Sequence, residues 1–257
     1  MSTRASTYTA QVLRRVEISD HLVRLVLGGP GLTAFTSTGI PDEWVGLVVP
    51  GQFQSRYYTV RSWDGVELTL DVVRHDVGLV TEWSGTDCVG QTCTITEPKG
   101  SFVLPDGAAW LMLVGDLTAM PAMARIVEET TLPTQVWAEV PDDLPDYLGA
   151  DFDDVSWLEQ PGDGQSALAS VVPDLAWPEG DGYFWMAGES SQMRAIRKHL
   201  MPDRKLPSTA YDVMGYWRGG AVRQPRAVDP GPIYRAGRAA GKSNDQIWAD
   251  YDDARDT

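Results

Sequence analysis

The first hundred residues alternate apolar and polar side chains at the period of two that is typical of half-buried strands. Two such runs, residues 12–18 and 21–27, are joined by the polar pair Ser19-Asp20. Further strands are predicted at residues 45–49, 54–60, 66–73 and 92–96. Glycine and proline separate these runs, and a closed sheet leaves no exposed edge, so we expect a small antiparallel β-barrel or sandwich.

The pattern changes after residue 107. Residues 109–114 form a continuous apolar run, which indicates a parallel strand buried on both faces. A helix is predicted over residues 119–130, with Thr118 as its N-cap and Pro121 in its first turn. A strand follows at 135–140, then strand–helix pairs at 155–158 with 165–172 and at 183–187 with 190–200, and a last strand at 210–214. Strands that alternate with helices predict an open, mostly parallel α/β sheet.

Three segments are therefore expected. Residues 1–107 form the β-barrel, residues 108–218 form the α/β domain, and residues 219–257 form a C-terminal extension. Within the extension, residues 222–232 are rich in proline and arginine and are expected to be irregular. A short final helix is predicted over residues 244–254.

The net charge of −15 is unevenly distributed, since residues 111–214 carry 6 Lys/Arg against 18 Asp/Glu. An acidic surface repels phosphate backbones and anionic lipids, so neither nucleic-acid binding nor membrane insertion is expected. The longest apolar run, residues 108–114, is also too short to cross a bilayer. Residues 218–242 reverse the sign, with six basic residues against Asp229 alone. We interpret them as a solvated basic tail, and a contact for an anionic ligand is the alternative.

The chain start lacks the apolar stretch of a secretory signal, which favours a cytoplasmic location. Cys88 and Cys93 lie in one short segment without the spacing of a disulfide framework or a metal site, so they are interpreted as reduced core thiols. The three histidines are far apart in the sequence, and no metal site is predicted.

The strongest chemical signal is a run of six residues at the end of a predicted strand: Arg56, Tyr57, Tyr58, Thr59, Val60 and Arg61. On a strand, Arg56 and Tyr58 face one side and Thr59 faces the other. An aromatic ring can lie against a flat heterocycle, a hydroxyl can bond its ring nitrogen, and arginine can bind a pyrophosphate. An ordinary amphipathic strand is the alternative interpretation.

Other candidate segments follow predicted strands. Residues 74–83 run from a strand through Gly78 into a short helix, whose free N–H groups would suit a phosphate. Gly115 and Asp116 end the buried strand at residues 109–114, without a GxGxxG fingerprint. Glu139 and Gly188 end two further strands, and ligands of open parallel sheets bind at such ends. The sequence contains no recognisable catalytic triad, nucleophile elbow or P-loop.

Taken in order, these segments resemble the siderophore-interacting protein family, a branch of the ferredoxin-reductase-like flavoproteins. The matching pieces are RYYTVR (56–61), H-x-x-G with a following Trp (75–83), PKGSF (98–102), GDLTAMPA (115–122), AGE (187–189) and GYWR (215–218). The resemblance covers roughly residues 8–218. It implies a two-domain fold, with an N-terminal FAD-binding antiparallel β-barrel and a C-terminal α/β domain whose open parallel sheet binds a nicotinamide nucleotide.

By this resemblance Arg56 would bind the FAD pyrophosphate, Tyr58 would lie against the isoalloxazine, and Thr59 would bond near its reactive nitrogen. The phosphate turn would hold Gly78 and Thr81, where the family's usual Gly-Pro-Ala-Ser is replaced by Gly78-Leu79-Val80-Thr81. Gly115, Asp116, Thr118 and Gly188 would border the nicotinamide nucleotide, while Trp217 and Arg218 would close over the flavin. The other expected cofactor contacts are Tyr57, Val60, Arg61, His75, Trp83, Gly100, Ser101, Ala119 and Glu189.

The resemblance implies an oxidoreductase that transfers electrons from NADH or NADPH through FAD to a ferric siderophore and releases Fe(II). The basic residues expected to attract an anionic chelate are Arg74, Lys99, Arg218 and Arg223. The acidic loop 139–143 favours NADH over NADPH, because it would repel a 2′-phosphate. The chain is expected to be a monomer, and an electron-donor protein is a possible partner. The alternatives are a flavin-dependent reductase with another acceptor and a siderophore- or flavin-binding protein without turnover.

Overall fold

The computed structural model describes residues 6–75, 78–162, 165–219, 230–242 and 246–247. The N-terminal half is a closed antiparallel barrel with the strand order β1-β2-β5-β4-β3-β6. Its strands are β1 (Thr7–Ser19), β2 (Leu22–Gly28), β3 (Trp44–Val48), β4 (Arg56–Trp63), β5 (Leu68–Val73) and β6 (Thr92–Thr96). Closure therefore decides between the barrel and the sandwich that the alternating pattern left open.

The barrel core is built from the inward-facing apolar residues of these strands. Leu25, Leu47, Leu70 and Ile95 are fully buried and belong to one contiguous cluster. Helix α1 (Leu79–Gly85) adds Val80 and Trp83 to the same cluster. The free thiols of Cys88 and Cys93 are also buried there, as the sequence predicted.

The C-terminal half is a parallel sheet with the strand order β11-β10-β7-β8-β9. Its strands are β7 (Leu111–Asp116), β8 (Thr134–Val140), β9 (Val155–Glu159), β10 (Tyr183–Glu189) and β11 (Tyr211–Trp217). Leu113 and Trp185 pack on one face, whereas Met112 and Phe184 pack on the other. Because both faces are covered, β7 and β10 are apolar up to the acidic residues at their ends, Asp116 and Glu189, and the predicted barrel-plus-parallel-sheet fold is confirmed.

Helices α2 (Met120–Glu129), α3 (Leu168–Val171) and α4 (Gln192–Lys198) cover the sheet, and α4 continues as a π-helical turn, His199–Asp203. The prediction that Thr118 caps α2 is wrong, because Ala119 is the N-cap. The backbone N–H and Oγ1 of Thr118 instead donate to Asp116 Oδ1, at 2.9 and 2.5 Å. The N–H and hydroxyl groups of Thr118 thus satisfy the buried Asp116 carboxylate, and the hydroxyl is not available to cap the helix.

Two helix predictions also need correction. The helix expected over residues 165–172 is a single turn, α3, followed by a 3-10 turn, Val172–Asp174, where Pro173 ends the α-helical hydrogen bonding. The irregular stretch expected at 222–232 ends early, because helix α5 (Pro230–Ala239) begins inside it. Proline at the start of a helix loses no hydrogen bond, which explains this beginning. The predicted helix at 244–254 and Arg223 lie outside the described residues, apart from positions 246–247.

The barrel and the sheet are joined through α2. Arg125 Nη1 donates to the carbonyl of Val60 at 2.8 Å and lies 3.3 Å from Glu43 Oε1, which is completely buried. Arg61 of β4 forms a two-bond ion pair with Glu128. These contacts fix one side of the interface between the two halves and leave a cleft on the other. Among the described residues, no helix is long and apolar enough to span a membrane, and none of their acidic, histidine or cysteine groups forms a metal-binding cluster.

Candidate functional site

A cleft of about 1600 Å³ lies between the barrel and the parallel sheet. The barrel contributes β4, the segment 51–55 before it and the start of α1, and the sheet contributes β11. The volume exceeds the few hundred to 1,000 Å³ that is ordinary for a small-ligand pocket. The cleft therefore has room for a dinucleotide together with a second ligand.

Strand β4 supplies the polar and aromatic wall of this cleft. Arg56 and Tyr57 are exposed, Tyr57 to 69% of its surface, and no carboxylate of the described residues pairs with Arg56. Tyr58 packs against the barrel core, and burial raises the pKa of its hydroxyl to about 12. Thr59 is buried and also borders the cleft. An unpaired arginine, an aromatic ring and a hydroxyl are together the side chains that could bind the pyrophosphate and the flat ring of a flavin dinucleotide.

The turn before α1 faces β4 across the cleft. Gly78 has φ +145°, a region that L side chains rarely adopt, so glycine suits this N-cap position. Thr81 Oγ1 accepts the backbone N–H of His75 at 3.4 Å, which ties the helix start to the end of the preceding strand. The His75 ring reaches towards Trp217 of β11, with 6.4 Å between the ring centroids. His75 and Trp217 therefore approach each other from opposite halves of the molecule.

The Trp217 side chain is held by the carboxyl edge of the sheet. Its indole Nε1 donates to Asp116 Oδ2 at 2.5 Å. Asp116 is 2% exposed, and this burial raises the pKa of its carboxyl group. A Cβ on Gly188 would lie 2.7 Å from Asp116 Oδ2, so only glycine leaves room for the carboxylate at this position. Asp116 thus positions the ring that closes one end of the cleft.

Gly115 and Glu189 also have structural partners at this edge. A Cβ on Gly115 would lie 2.4 Å from the Ala119 side chain, so Gly115 allows α2 to start close to β7. Glu189 Oε2 accepts the backbone N–H of Ser191 at 2.8 Å, and Oε1 accepts that of Gly219 at 2.9 Å. These bonds hold the chain that follows Trp217 against the end of β10.

The structure brings many of the predicted site residues to the cleft. They are Arg56, Tyr57, Tyr58, Thr59, His75, Gly78, Thr81, Lys99, Thr118 and Trp217. Asp116 contacts Trp217 directly, while Gly115, Ala119, Gly188 and Glu189 form the sheet edge beside it. Arg218 is exposed directly after Trp217.

Other predicted residues lie away from the cleft wall. Val60 and Trp83 belong to the barrel core, where the indole of Trp83 donates to Gln91. Arg61 pairs with Glu128, and Arg74 pairs with Glu17 at 2.5 Å. Two more predicted residues, Gly100 and Ser101, pack against the loop before β3: a Cβ on Gly100 would meet Ile40 at 2.7 Å, and Ser101 bonds Asp42.

Sequence reasoning missed cleft residues that come from the far half of the molecule. Arg197 of α4 and Asp212, Met214 and Tyr216 of β11 line the cleft. Tyr216 lies inside the GYWR motif, so that motif could have identified it as a cleft residue. No sequence signal marked Arg197 or Asp212, because their place in the cleft depends on how the sheet docks on the barrel.

Comparisons with known proteins agree with this geometry. The family model described as siderophore-interacting protein matches residues 108–220. The chain is 30% identical to ferric vibriobactin reductase ViuB of Vibrio cholerae over 244 residues, which cover 81% of this chain and 88% of that protein. It is 28% identical to the NADPH-dependent ferric-chelate reductase of Escherichia coli over 235 residues, covering 80% and 91%.

Solved structures show the same fold. A siderophore utilization protein from T. fusca superposes with a TM-score of 0.74 and 27% identity, covering 84% of this chain and 94% of that one. The ferredoxin reductase in carbazole 1,9a-dioxygenase gives a TM-score of 0.65 at 16% identity, with coverages of 84% and 71%. The second likeness extends the fold to the ferredoxin-reductase-like proteins.

Proposed function

The chain belongs to the siderophore-interacting protein family, and we propose that it is an FAD-dependent reductase that transfers electrons from a nicotinamide nucleotide to a ferric siderophore. The observation that carries the proposal is the cleft wall of β4, where an unpaired Arg56 stands beside Tyr58 and Thr59. The names of the relatives in Vibrio cholerae and Escherichia coli support the same reaction.

We assign these residues to FAD by their chemistry. Arg56 would hold the pyrophosphate with charge-assisted hydrogen bonds, and the ring of Tyr58 would support the flat isoalloxazine. Gly78 and Thr81 would face a phosphate at the start of α1. When bound, FAD would accept hydride from the nicotinamide and pass single electrons to ferric iron, which would leave as Fe(II).

The sheet edge is proposed to receive the nicotinamide nucleotide, with Asp116 holding Trp217 at the flavin end. The division into residues 1–107 for FAD, 108–218 for the nicotinamide nucleotide and 219–257 as an extension belongs to the same proposal. Glu139 is buried and cannot contact a bound 2′-phosphate, whereas Asp142 and Asp143 are exposed. The acidic loop still favours NADH, while the Escherichia coli relative is named NADPH-dependent, and both nucleotides enter the test.

Lys99 is the proposed contact for an anionic chelate, because it lines the cleft and no carboxylate of the described residues pairs with it. Arg218 is exposed beside Trp217 and is a second candidate. Arg74 is weakened as a candidate, because Glu17 already compensates its charge.

The test is a visible absorption spectrum of FAD-loaded protein under anaerobic conditions. NADH or NADPH should bleach the flavin, and a ferric siderophore with a ferrous trap should restore the colour as Fe(II) appears. Bleaching without reoxidation by any ferric chelate would favour a reductase with another acceptor. Binding of FAD without bleaching would favour a carrier, and a protein that cannot be loaded with FAD would refute the mechanism.

Arg56→Ala should weaken FAD binding about tenfold or more, since a hydrogen bond to a charged group contributes about 1.5–3 kcal/mol. Arg14→Ala is the matched control, because Arg14 is an exposed barrel arginine that pairs with Glu67. Equal FAD affinity in both variants, measured by flavin fluorescence titration, would contradict the assignment of Arg56.

A further inference from the structure

A pair of carboxyl groups shares one serine hydroxyl behind the cleft wall. Ser101 Oγ lies 2.7 Å from Asp42 Oδ2 and 2.9 Å from Asp212 Oδ2. Asp42 is completely buried, whereas Asp212 is half-buried and lines the cleft. The Sδ of Met214 is 3.0 Å from the same hydroxyl, but a thioether is only a weak acceptor.

If both acids are ionised, the two contacts of Ser101 Oγ cannot both be hydrogen bonds, because only one proton is present. A serine hydroxyl has one hydrogen, so it can donate to only one of the two carboxylates. Asp42 is the better acceptor for the Ser101 hydroxyl, because its Oδ1 already accepts the backbone N–H groups of Ser101 and Phe102, at 2.8 and 3.0 Å, which hold its carboxyl group in place. With Ser101 donating to Asp42, the 2.9 Å contact between Ser101 Oγ and Asp212 Oδ2 is a hydrogen bond only if Asp212 carries a proton and donates it to Ser101 Oγ.

The surroundings of Asp212 favour the protonated form. Burial raises the pKa of the Asp212 carboxyl group, and the nearby charge of Asp42 adds to this effect, while the contact with Ser101, the backbone N–H of Val213 and the charge of Arg197 act in the opposite direction. The phenols of Tyr183 and Tyr216 also face it, and both have raised pKa values, so neither supplies a negative charge near neutral pH. Arg197 is engaged with the backbone, since its Nη2 donates to the carbonyl of Val213 at 2.5 Å.

We propose that Asp212 is a general acid of the cleft, which protonates a donor oxygen of the bound ferric chelate while its iron is reduced. This inference rests on the proposed reductase function. Lys99, two residues before Ser101, lines the same cleft and would hold an anionic chelate near the acid.

The step balances in atoms and charge. One electron, supplied by the reductase reaction, converts Fe(III) to Fe(II). A donor oxygen of the chelate replaces Ser101 as the hydrogen-bond acceptor of Asp212 and takes its proton. The iron–oxygen bond breaks, the chelate oxygen becomes a hydroxyl, and Asp212 is left as a carboxylate that solvent in the open cleft reprotonates. Fe(II) is held more weakly than Fe(III), and protonation prevents the freed oxygen from binding it again.

Asp212→Asn is the variant of choice, because the amide can still donate to Ser101 but has no acidic proton to transfer. Two acceptors are compared in the FAD-loaded protein: ferric tris(2,3-dihydroxybenzoate), whose oxygens take up protons on release, and hexacyanoferrate(III), whose ligands stay bound. In the variant, the turnover rate with the chelate divided by the rate with hexacyanoferrate(III) should be about 100-fold lower than in the wild type at pH 7. This factor is the lower end of what a positioned general acid contributes to a rate. Asp87→Asn, an exposed barrel residue, is the matched control and should leave the ratio as in the wild type.

Two further readouts do not depend on that ratio. Wild-type chelate reduction should slow as the pH rises through the pKa of Asp212, and the Asn variant should lack this decline. The infrared spectrum at pH 7 should contain a protonated-carboxyl C=O band that Asp212→Asn removes and Asp87→Asn retains.

An unchanged ratio, or no loss of the infrared band, overturns the inference. Failure of the proposed function looks different, since wild-type protein would then not reduce the ferric tris(2,3-dihydroxybenzoate), whether or not it reduces hexacyanoferrate(III). Failure of this inference appears only in the comparison of the Asp212 variant with the wild type.

Discussion

Three acidic residues end adjacent strands of the parallel sheet, and the fold treats each one differently. Asp116 accepts bonds from Thr118 and Trp217, and Glu189 accepts the N–H groups of Ser191 and Gly219. Glu139 accepts the backbone N–H of Ala167 at 2.7 Å and also interacts with the Ser166 side chain, but its Oε2 has no partner among the described residues. Burial raises the pKa of the Glu139 carboxyl group, and the charge of Asp116 adds to the effect.

Glu139→Gln should therefore stabilise the protein increasingly as the pH rises. A carboxyl group whose pKa is higher in the folded state favours folding while it is protonated, and that contribution is lost as the pH rises through the folded-state pKa. Glutamine keeps the acceptor for Ala167 and never ionises. The free energy of unfolding from urea titrations should differ between variant and wild type more at pH 8 than at pH 5.

Glu159→Gln is the matched control, because Glu159 is exposed at the end of neighbouring β9. Its effect should be the same at both pH values. A pH-independent effect of Glu139→Gln would mean that Glu139 titrates normally in the folded protein.

At the scale of elements, the sequence pattern predicted the strands better than the helices. The alternation of residues 12–27 and the apolar run of residues 109–114 became β1, β2 and β7, because burial on one face or on two faces determines those patterns directly. Helix ends depend on single hydrogen bonds. The sequence could not show that the Thr118 hydroxyl would bond to the Asp116 carboxylate instead of capping the helix. A buried carboxylate close to the helix start competes for the hydroxyl on which the capping rule relies.

Helix α2 contributes more to the joining of the two halves through one arginine than through its surface ion pair. Arg125 is buried against Val60 and Glu43, whereas Glu128 is largely exposed. Arg125→Met should lower the free energy of unfolding by about 3 kcal/mol, because it leaves Glu43 buried with less compensation. Glu128→Gln, on the same helix, should cost less than Arg125→Met, because Glu128 is about half-exposed and water screens its pair with Arg61.

Urea titrations followed by tryptophan fluorescence would measure both changes in the free energy of unfolding. A cost for Glu128→Gln as large as that for Arg125→Met would place the joining contact at the surface instead. Ser37 and Thr38 still donate to Glu43 in the Arg125 variant, so folding should survive the change.

At the scale of the whole molecule, the sequence predicted more of the barrel wall of the cleft than of the wall that β11 and α4 contribute. The β4 residues Arg56, Tyr58 and Thr59 could be identified because their types alternate within one short run. Asp212 and Arg197 belong to the same cleft but are far from β4 in sequence, and nothing local distinguishes them from other polar residues. Their role follows from the docking of two separately formed cores, which is information that a local pattern does not contain.

The net charge of −15 acts on the whole approach of a substrate, whereas Lys99 acts only inside the cleft. We therefore expect kcat/KM for the anionic ferric tris(2,3-dihydroxybenzoate) to rise between about 10 mM and 150 mM salt, because the Debye length shrinks from about 30 Å to about 8 Å and screens the repulsion. The neutral ferric tris(acetohydroxamate) should show little change.

Lys99→Ala should raise KM for the anionic chelate at both salt concentrations, while Arg74→Ala should not. A rate for the anionic chelate that falls with salt would instead mean that the basic residues of the cleft control its approach over the full distance.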